Sequence, residues 1–173
     1  LPVLLVRTDP RLGEPVCAVG NQFGLGLSVT CGVISALQRT GTGFNPIEDF
    51  IQTDASINPG NSGGVLLNAA GEVIGVTASV ESPVRGSVGV GFAIPSNTVH
   101  RFLPAMIAGE TILHPWMGIQ GGLGADAAGP TVGGVVPGGP SDQAGLRTGD
   151  VLLSLDGGLL PDFETLAMLL DQR

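Results

Sequence analysis

A mostly β fold is predicted by the glycine and proline content of this 173-residue chain and by the spacing of its short apolar runs. The 29 glycines and 13 prolines favour short strands joined by turns over long helices. Up to residue 95, apolar runs recur about every 8 to 12 residues, as they do in a barrel or a sandwich. Because 43% of the residues are hydrophobic, the chain can bury a substantial core.

The first strands are predicted from short runs rich in small and β-branched residues. PVCAVG (15–20) and LSVTCGVISAL (27–37) flank a turn-rich segment, so we expect two antiparallel strands joined by a loop. A loop is predicted over 39–49, and the alternating stretch FIQTDASI (50–57) continues the β region.

Three more strands complete this region. Two of them fit residues 64–80, with a tight turn at NAAG (68–71). A glycine-rich loop over 81–91 leads to the last strand, FAIP (92–95).

The pattern changes to a helical one over residues 95–109. Apolar residues recur there at helical spacing, at Val99, Phe102, Leu103, Met106 and Ile107. Ser96 is the expected N-cap and Gly109 the expected stop. Since Pro104 would clash with the carbonyl of His100, we expect a kinked or two-part helix that connects two domains.

Short β runs return from Trp116 onward, at WMGIQ, VGGVVP and DVLLSLDG. The final segment, 162–173, predicts an amphipathic helix with Asp162 as its N-cap. Because the sequence stops within this helix or at its end, we expect the second unit to be incomplete. The opening Leu1-Pro2, without methionine, is likewise interpreted as the start of an internal segment.

Charge and composition argue against several classes of partner. The net charge is −8, with seven arginines and no lysines, which disfavours nucleic acid and anionic membranes. No run of about 18 apolar residues is present, so no membrane span is predicted. No cofactor is indicated.

The two cysteines, Cys17 and Cys31, lie symmetrically about the turn-rich segment 20–26. We expect two buried thiols, and a cross-strand pair is the alternative. Their spacing and the scarcity of histidine disfavour a zinc site.

A candidate nucleophile lies in NPGNSGG (58–64), where Ser62 is surrounded by small residues. Flanking glycines let successive amides converge on an oxyanion, and here the amides of Gly60 and Ser62 could do so. One alternative is a glycine-rich turn without chemistry. Another is the nucleophile elbow of α/β-hydrolases, but an elbow needs a helix directly after the serine, and β-like sequence follows here.

The segments GNQFGLGLSVTCGVISAL, FIQTDASINPGNSGGVLLNAAGEVIGV and GVGFAIPSNTV resemble the trypsin-like core of HtrA/Deg serine proteases, in the order of that family. HPWMGIQ and VVPGGPSDQAGLRTGDVLLSLDG resemble its PDZ domain. The resemblance implies a trypsin-like β-barrel, with the second barrel largely present and the first absent, then a connector helix and a truncated PDZ domain. The implied bounds are 1–95 for the protease part, 96–113 for the connector and 114–173 for the PDZ part.

The resemblance implies that Ser62 is the nucleophile, that the Gly60 amide binds the oxyanion and that Asn61 belongs to the oxyanion loop. Ile57 and Val80 match walls of the specificity pocket, which would favour a small aliphatic residue. The loops 39–49 and 81–91 correspond to loops that rearrange on activation.

The catalytic His and Asp are expected upstream of Leu1, because the triad of this fold runs His, Asp, Ser along the chain. His100 and His114 both follow Ser62, so they are interpreted as a helix-surface residue and a linker residue. Asp54 is expected to be structural, accepting backbone amides near the serine loop. We therefore expect these 173 residues to be inert alone.

The PDZ-like unit is expected to bind an extended peptide at a sheet edge, with backbone amides holding its C-terminal carboxylate. The implied contacts are Trp116, Met117, Gly118, Ile119, Phe163, Leu166 and Leu170. For Trp116 a core position is the alternative.

The function implied is that of a periplasmic or cell-envelope serine endopeptidase that degrades unfolded or misfolded proteins, with PDZ-assisted binding of apolar segments or C-termini. A homotrimer or higher oligomer is expected from the family. One alternative is a proteolytically inactive relative that binds unfolded chains as a chaperone. The other is an unrelated β-rich binding protein.

Overall fold

The structure is a computed structural model, and it describes residues 6–78, 86–121 and 129–173. The chain divides into two compact units. The first comprises the residues up to Phe44 and from Asp49 to Ile112, and the second comprises Leu113–Arg173 with Asn45–Glu48.

The described part of the first unit forms a closed antiparallel barrel of six strands, in the order β1-β2-β3-β6-β5-β4. Its strands are β1 (Pro15–Gly20), β2 (Ser28–Arg39), β3 (Phe50–Thr53), β4 (Val65–Asn68), β5 (Val73–Ala78) and β6 (Gly91–Pro95). The mostly β fold predicted from short, regularly spaced apolar runs is therefore confirmed, and of the barrel and the sandwich that this spacing left open, the structure shows the barrel that the resemblance implied.

The barrel core is built from aliphatic side chains that alternate along the strands, because successive side chains of a strand point to opposite faces. In β1, Val16 and Ala18 point inward and are buried. The cluster contains Val16, Ala18, Ile34, Ile51, Ile57, Leu66, Ile74 and Ala93. Burial of each larger member contributes about 1.5–3 kcal/mol, so this cluster fixes the frame that carries the serine loop.

The predicted turn between β4 and β5 is closed by the Gly71 amide, which donates to the Asn68 carbonyl at 3.0 Å. Asn68 Oδ1 also accepts the amides of Ala70 and Glu72, at 3.0 and 2.9 Å. Asparagine is favoured in such turns because its side chain bonds to the backbone that follows it.

The outward faces of β1 and β2 are joined by a disulfide between Cys17 and Cys31. The two residues are direct partners in the antiparallel register. The expectation of two buried thiols is therefore wrong, and the cross-strand alternative is correct. Cys31 is exposed and Cys17 half-buried, because both lie on the face of the hairpin opposite the core residues.

Helix α1 (Ser96–Ala108) follows β6 directly and runs as one helix through Pro104. The expected division of the helix at Pro104 is thus not observed. The N-cap is Pro95 rather than Ser96, whose hydroxyl donates instead to the Arg7 carbonyl at 2.5 Å. Gly109 ends the helix in the left-handed conformation, as predicted.

In its described residues, the second unit contains two small antiparallel sheets and two helices. Its elements are β7 (Ile119–Gly121), β8 (Val132–Val135), α2 (Pro140–Gln143), β9 (Ser154–Leu155), β10 (Gly158–Leu159) and α3 (Phe163–Asp171). The short helix α2 was not predicted from the sequence. Asp162 caps α3 as expected, accepting the Thr165 amide at 2.7 Å. Val132, Leu160, Leu166 and Met168 are buried in this unit.

None of the helices in the described ranges has the length and apolar character required to span a bilayer.

Candidate functional site

Ser62 lies on an exposed loop that is anchored by the buried residue beside it. Asn61 is only 1% exposed. Its amide donates to the Asn58 carbonyl at 3.0 Å, and its own carbonyl accepts the Gly64 amide at 2.8 Å. These two bonds close consecutive tight turns, so the loop presents Ser62 to solvent while its neighbour is fixed inside.

Thr77 of β5 ties the same loop to the barrel. Its hydroxyl donates to the Asn61 carbonyl, and its carbonyl accepts the Gly63 amide at 2.9 Å. Asn61 Nδ2 donates to the Ser56 carbonyl at 3.3 Å. Among the described residues, no donor reaches the buried Oδ1 of Asn61.

Gly60 adopts a φ of 100°, a conformation that side chains other than glycine rarely tolerate. A Cβ at this position would lie 2.1 Å from the Asn21 carbonyl oxygen. Within the described ranges, no backbone carbonyl accepts the Gly60 amide, whereas the Gly60 carbonyl accepts the Asn21 amide at 3.3 Å. The peptide unit of residue 60 is therefore fixed through its carbonyl, and its N–H can donate to an incoming acceptor.

The β1–β2 loop braces the serine loop through a chain of polar contacts. The Phe23 amide donates to the Pro59 carbonyl at 2.7 Å. The Gln22 side chain donates to the Ser56 carbonyl at 3.1 Å and accepts from Asn58 Nδ2 at 3.0 Å. Consecutive residues of one loop thus fix the backbone and a side chain of the other.

Asn58 extends this network to the segment before β6, because its Oδ1 accepts the Ser87 amide at 2.7 Å. Sequence reasoning missed both Gln22 and Asn58 as site residues. Both are polar residues in turn-rich segments, and their partners are 29 to 36 positions away in the chain.

Of the two residues predicted to line a specificity pocket, only Ile57 lies in the part of the chain that the structure describes. Ile57 is 7% exposed and belongs to the barrel core. It packs against Gly91, where a Cβ would lie 2.4 Å from Ile57 Cγ1. Val80 lies outside the described residues, as do residues 81–85 of the loop 81–91. The assignment of a specificity pocket to these residues stays a prediction.

The candidate acids and bases occupy the places expected of structural groups. His100 is exposed on α1. Asp54 Oδ1 accepts the Val33 amide at 2.7 Å, which confirms its expected structural role. No cluster of metal-ligating side chains occurs in the ranges that the structure describes.

A second candidate site is a cavity of about 150 Å³ within the second unit. Its walls are the segment before β7 and one face of α3. The lining residues are Pro115, Trp116, Met117, Gly118, Ile119, Phe163, Leu166, Ala167 and Leu170. The structure therefore brings together all seven residues that the resemblance assigned to peptide binding.

The lining segment is held by backbone hydrogen bonds from the residue that follows β8 and from α2. The Gly118 and Met117 carbonyls accept the amides of Val136 and Ser141, at 2.8 and 3.1 Å. Gly118 has a φ of 75°, which turns the chain sharply before β7. Trp116 is 63% exposed, so the alternative of a core aromatic is wrong.

His114 and Asp171 are hydrogen-bonded, and each directly neighbours a lining residue of this cavity in the chain. His114 Nδ1 and Asp171 Oδ1 are 2.5 Å apart, and the imidazole donates because the carboxylate can only accept. His114 lies in the segment between α1 and β7, as expected of a linker residue, and its contact with Asp171 was not predicted. The pair joins residues 57 positions apart, which no local pattern indicates.

Comparison with known families gives two matches along the chain. Residues 1–76 match a family described as a trypsin-like peptidase domain. Residues 131–173 match a family described as a PDZ domain.

Curated relatives are similar over most of the chain. The periplasmic pH-dependent serine endoprotease DegQ of Escherichia coli (strain K12) is 45% identical over 166 residues, which are 90% of this chain and 36% of DegQ. The periplasmic serine endoprotease DegP of the same organism is 41% identical over 166 residues, 90% of this chain and 35% of DegP. The chain thus spans about a third of the length of these relatives.

Solved structures with the same fold cover the whole chain. The HtrA-type protease AlgW with a tripeptide superposes with a TM-score of 0.81 at 38% identity, over 99% of this chain and 61% of AlgW. The serine endoprotease from Yersinia pestis superposes with a TM-score of 0.65 at 35% identity, over 100% of this chain and 58% of that one.

Proposed function

From the fact that this chain belongs to the HtrA/Deg family of trypsin-like serine proteases, carrying a trypsin-like barrel followed by a PDZ segment, we propose that the whole protein is a serine endopeptidase. The observation that supports this most directly is the serine loop. Ser62 is exposed beside a buried, multiply bonded Asn61, and Gly60 offers an amide at the adjacent position.

The proposed chemistry is acyl transfer. The Ser62 hydroxyl attacks the scissile carbonyl, and the oxyanion of the tetrahedral intermediate accepts hydrogen bonds from the amides of Gly60 and Ser62. Bracing of residues 56–60 by the β1–β2 loop supports this role, because preorganised donors stabilise the transition state without reorganisation.

The base that activates Ser62 is proposed to come from the part of the protein outside these 173 residues. In this fold the His and Asp of the triad precede the serine, whereas His100 and His114 follow it. The 173-residue chain by itself is accordingly expected to lack protease activity.

The proposed substrates are unfolded or misfolded proteins of the periplasm or cell envelope. The curated relatives are named periplasmic endoproteases. The apolar cavity of the second unit suits the C-terminus or an apolar segment of an unfolded chain, bound by β-augmentation. Tethering such a chain raises its concentration at Ser62. A homotrimer or higher oligomer is proposed for the whole protein from its family.

The test is active-site labelling of the natural full-length protein with a fluorophosphonate probe, together with a casein cleavage assay. Ser62→Ala should abolish labelling and reduce cleavage by about 10⁴-fold or more. Ser35→Ala is the matched control, because Ser35 is an exposed serine of β2 on the same barrel.

Two results would contradict the proposal. Full-length protein that binds unfolded chains but is not labelled would indicate the inactive, chaperone-like alternative. Ser62-dependent cleavage by the isolated 173 residues would contradict the expectation that the base lies elsewhere.

A further inference from the structure

We propose that His114 and Asp171 are positioning residues that clamp one end of the cavity in the second unit and thereby set its affinity for a bound peptide. The inference rests on the proposed peptide-binding role of that cavity. It assigns a role to two polar residues that are not among the residues lining the cavity.

The two residues stand at the ends of the two walls. His114 directly precedes the lining segment 115–119, and Asp171 directly follows Leu170, the last lining residue of α3. Their 2.5 Å contact therefore links the wall segment to the helix at one end of the cavity.

The opposite end of α3 is fixed by different contacts. Asp162 caps the helix, and the Phe163 ring packs on Gly121 of β7, where a Cβ would lie 3.3 Å from the ring. Loss of the His114–Asp171 pair would remove a contact that holds the C-terminal turn of α3 against the wall segment, whereas the contacts at its N-terminal end would stay in place. The spacing of Leu170 from Pro115 and Trp116 would then widen.

The position of Asp171 indicates that this residue does not serve to stabilise helix α3 itself. A carboxylate in the last turn of a helix is disfavoured by the negative end of the helix dipole, and α3 has no basic residue in that turn. The Asp171 side chain is also only 8% exposed. A buried carboxylate in this place requires a cationic or donor partner, and His114 supplies it from the other wall.

The test uses the 173-residue protein and a fluorescein-labelled peptide ending in Leu-Val-Val with a free carboxylate. Affinity is measured by anisotropy for wild type, His114→Gln, Asp171→Asn and the double variant. Each single variant should bind about 3- to 10-fold more weakly, and the double variant should bind no more weakly than the weaker single variant, because both changes remove the same contact. Asp156→Asn is the control, because it removes the exposed Asp156–Arg173 pair of the same unit.

A second readout separates clamping from a purely structural role. Trp116 is the single tryptophan and lines the cavity, so acrylamide quenching of its fluorescence reports cavity opening without any peptide. Quenching should increase in both single variants, at a temperature where all variants are folded by circular dichroism. The exchanged variant, His114→Asp with Asp171→His, should restore quenching and affinity towards wild type.

Unchanged affinity and quenching in the single variants would overturn the clamp, and so would losses that add in the double variant. If wild-type protein fails to bind the peptide, the proposed role of the cavity is wrong, and the quenching result alone then decides whether the pair clamps the walls.

Discussion

At the scale of single residues, two of the three glycines around Ser62 are required by the chain's own packing. From the sequence, the flanking glycines were expected to let successive amides converge on an oxyanion. In the structure, a Cβ at Gly60 would lie 2.1 Å from the Asn21 carbonyl oxygen, and one at Gly64 would lie 2.3 Å from that of Val19. Only Gly63 faces open space, with nothing within 4 Å.

Gly60→Ala should therefore disable the serine loop. Its methyl group collides with Asn21, and its φ of 100° is strained for alanine, so the loop must shift. Displacement of the Gly60 amide should reduce kcat by about 10²–10³-fold in the full-length protein. The control is Gly63→Ala, which shares a positive φ of 79° but meets no neighbour; equal losses in both variants would show that the collision is irrelevant.

Gln22→Ala should loosen the serine loop without unfolding the barrel. It removes the bonds to the Ser56 carbonyl and to Asn58, each worth about 0.5–1.5 kcal/mol. Faster amide hydrogen exchange is expected in residues 56–61, measured against Leu25→Ala, a change at an 85% exposed side chain of the same loop. Exchange that rises equally in both variants would exclude a specific brace.

At the scale of elements, strand positions were predictable because they follow local composition, whereas connections between elements were not. β1 and the NAAG turn lie where the sequence placed them. Ser96 has the chemistry of an N-cap, yet it bonds to the Arg7 carbonyl, 89 positions away. The cysteines likewise pair only because the register of β1 and β2 sets them opposite each other.

The Cys17–Cys31 disulfide should stabilise the hairpin that braces the serine loop. It closes a segment of 14 positions, and the chain-entropy model gives about 3 kcal/mol for a loop of roughly this size. Cys17→Ser with Cys31→Ser should lower the free energy of unfolding in urea by about 2–3 kcal/mol. The double-serine variant should be insensitive to reductant, and a wild-type protein equally insensitive would contradict the prediction.

At the scale of the whole molecule, the sequence was sufficient to predict a barrel followed by a PDZ unit, because the motifs that identify them are contiguous. It was not sufficient for the contacts that position the sites. Gln22 meets Asn58 across 36 positions, and His114 meets Asp171 across 57. The first pair forms only when the barrel closes, and the second only when α3 packs in its unit. The periodicity of apolar residues reports local secondary structure, so it does not reveal which distant residues meet.

The acidic character of the chain should govern its solubility and its partners. With a net charge of −8 at pH 7 and an isoelectric point of about 4.4, its solubility should be lowest near pH 4.4, where mutual repulsion vanishes. Duplex DNA should not bind at pH 7 in an electrophoretic shift assay at low salt. A salt-dependent shift would contradict this expectation.

The disulfide of the first hairpin also means that the covalent state of the molecule depends on the compartment in which it resides. A newly made chain carries two thiols in a reducing cytoplasm and can join them only where oxidants are available. If the protein acts outside the cytoplasm as proposed, the hairpin that braces the loop around Ser62 becomes covalently cross-linked only after export. A copy retained in the cytoplasm would then lack this cross-link, and its Ser62 would be positioned less rigidly than in an exported, oxidised copy.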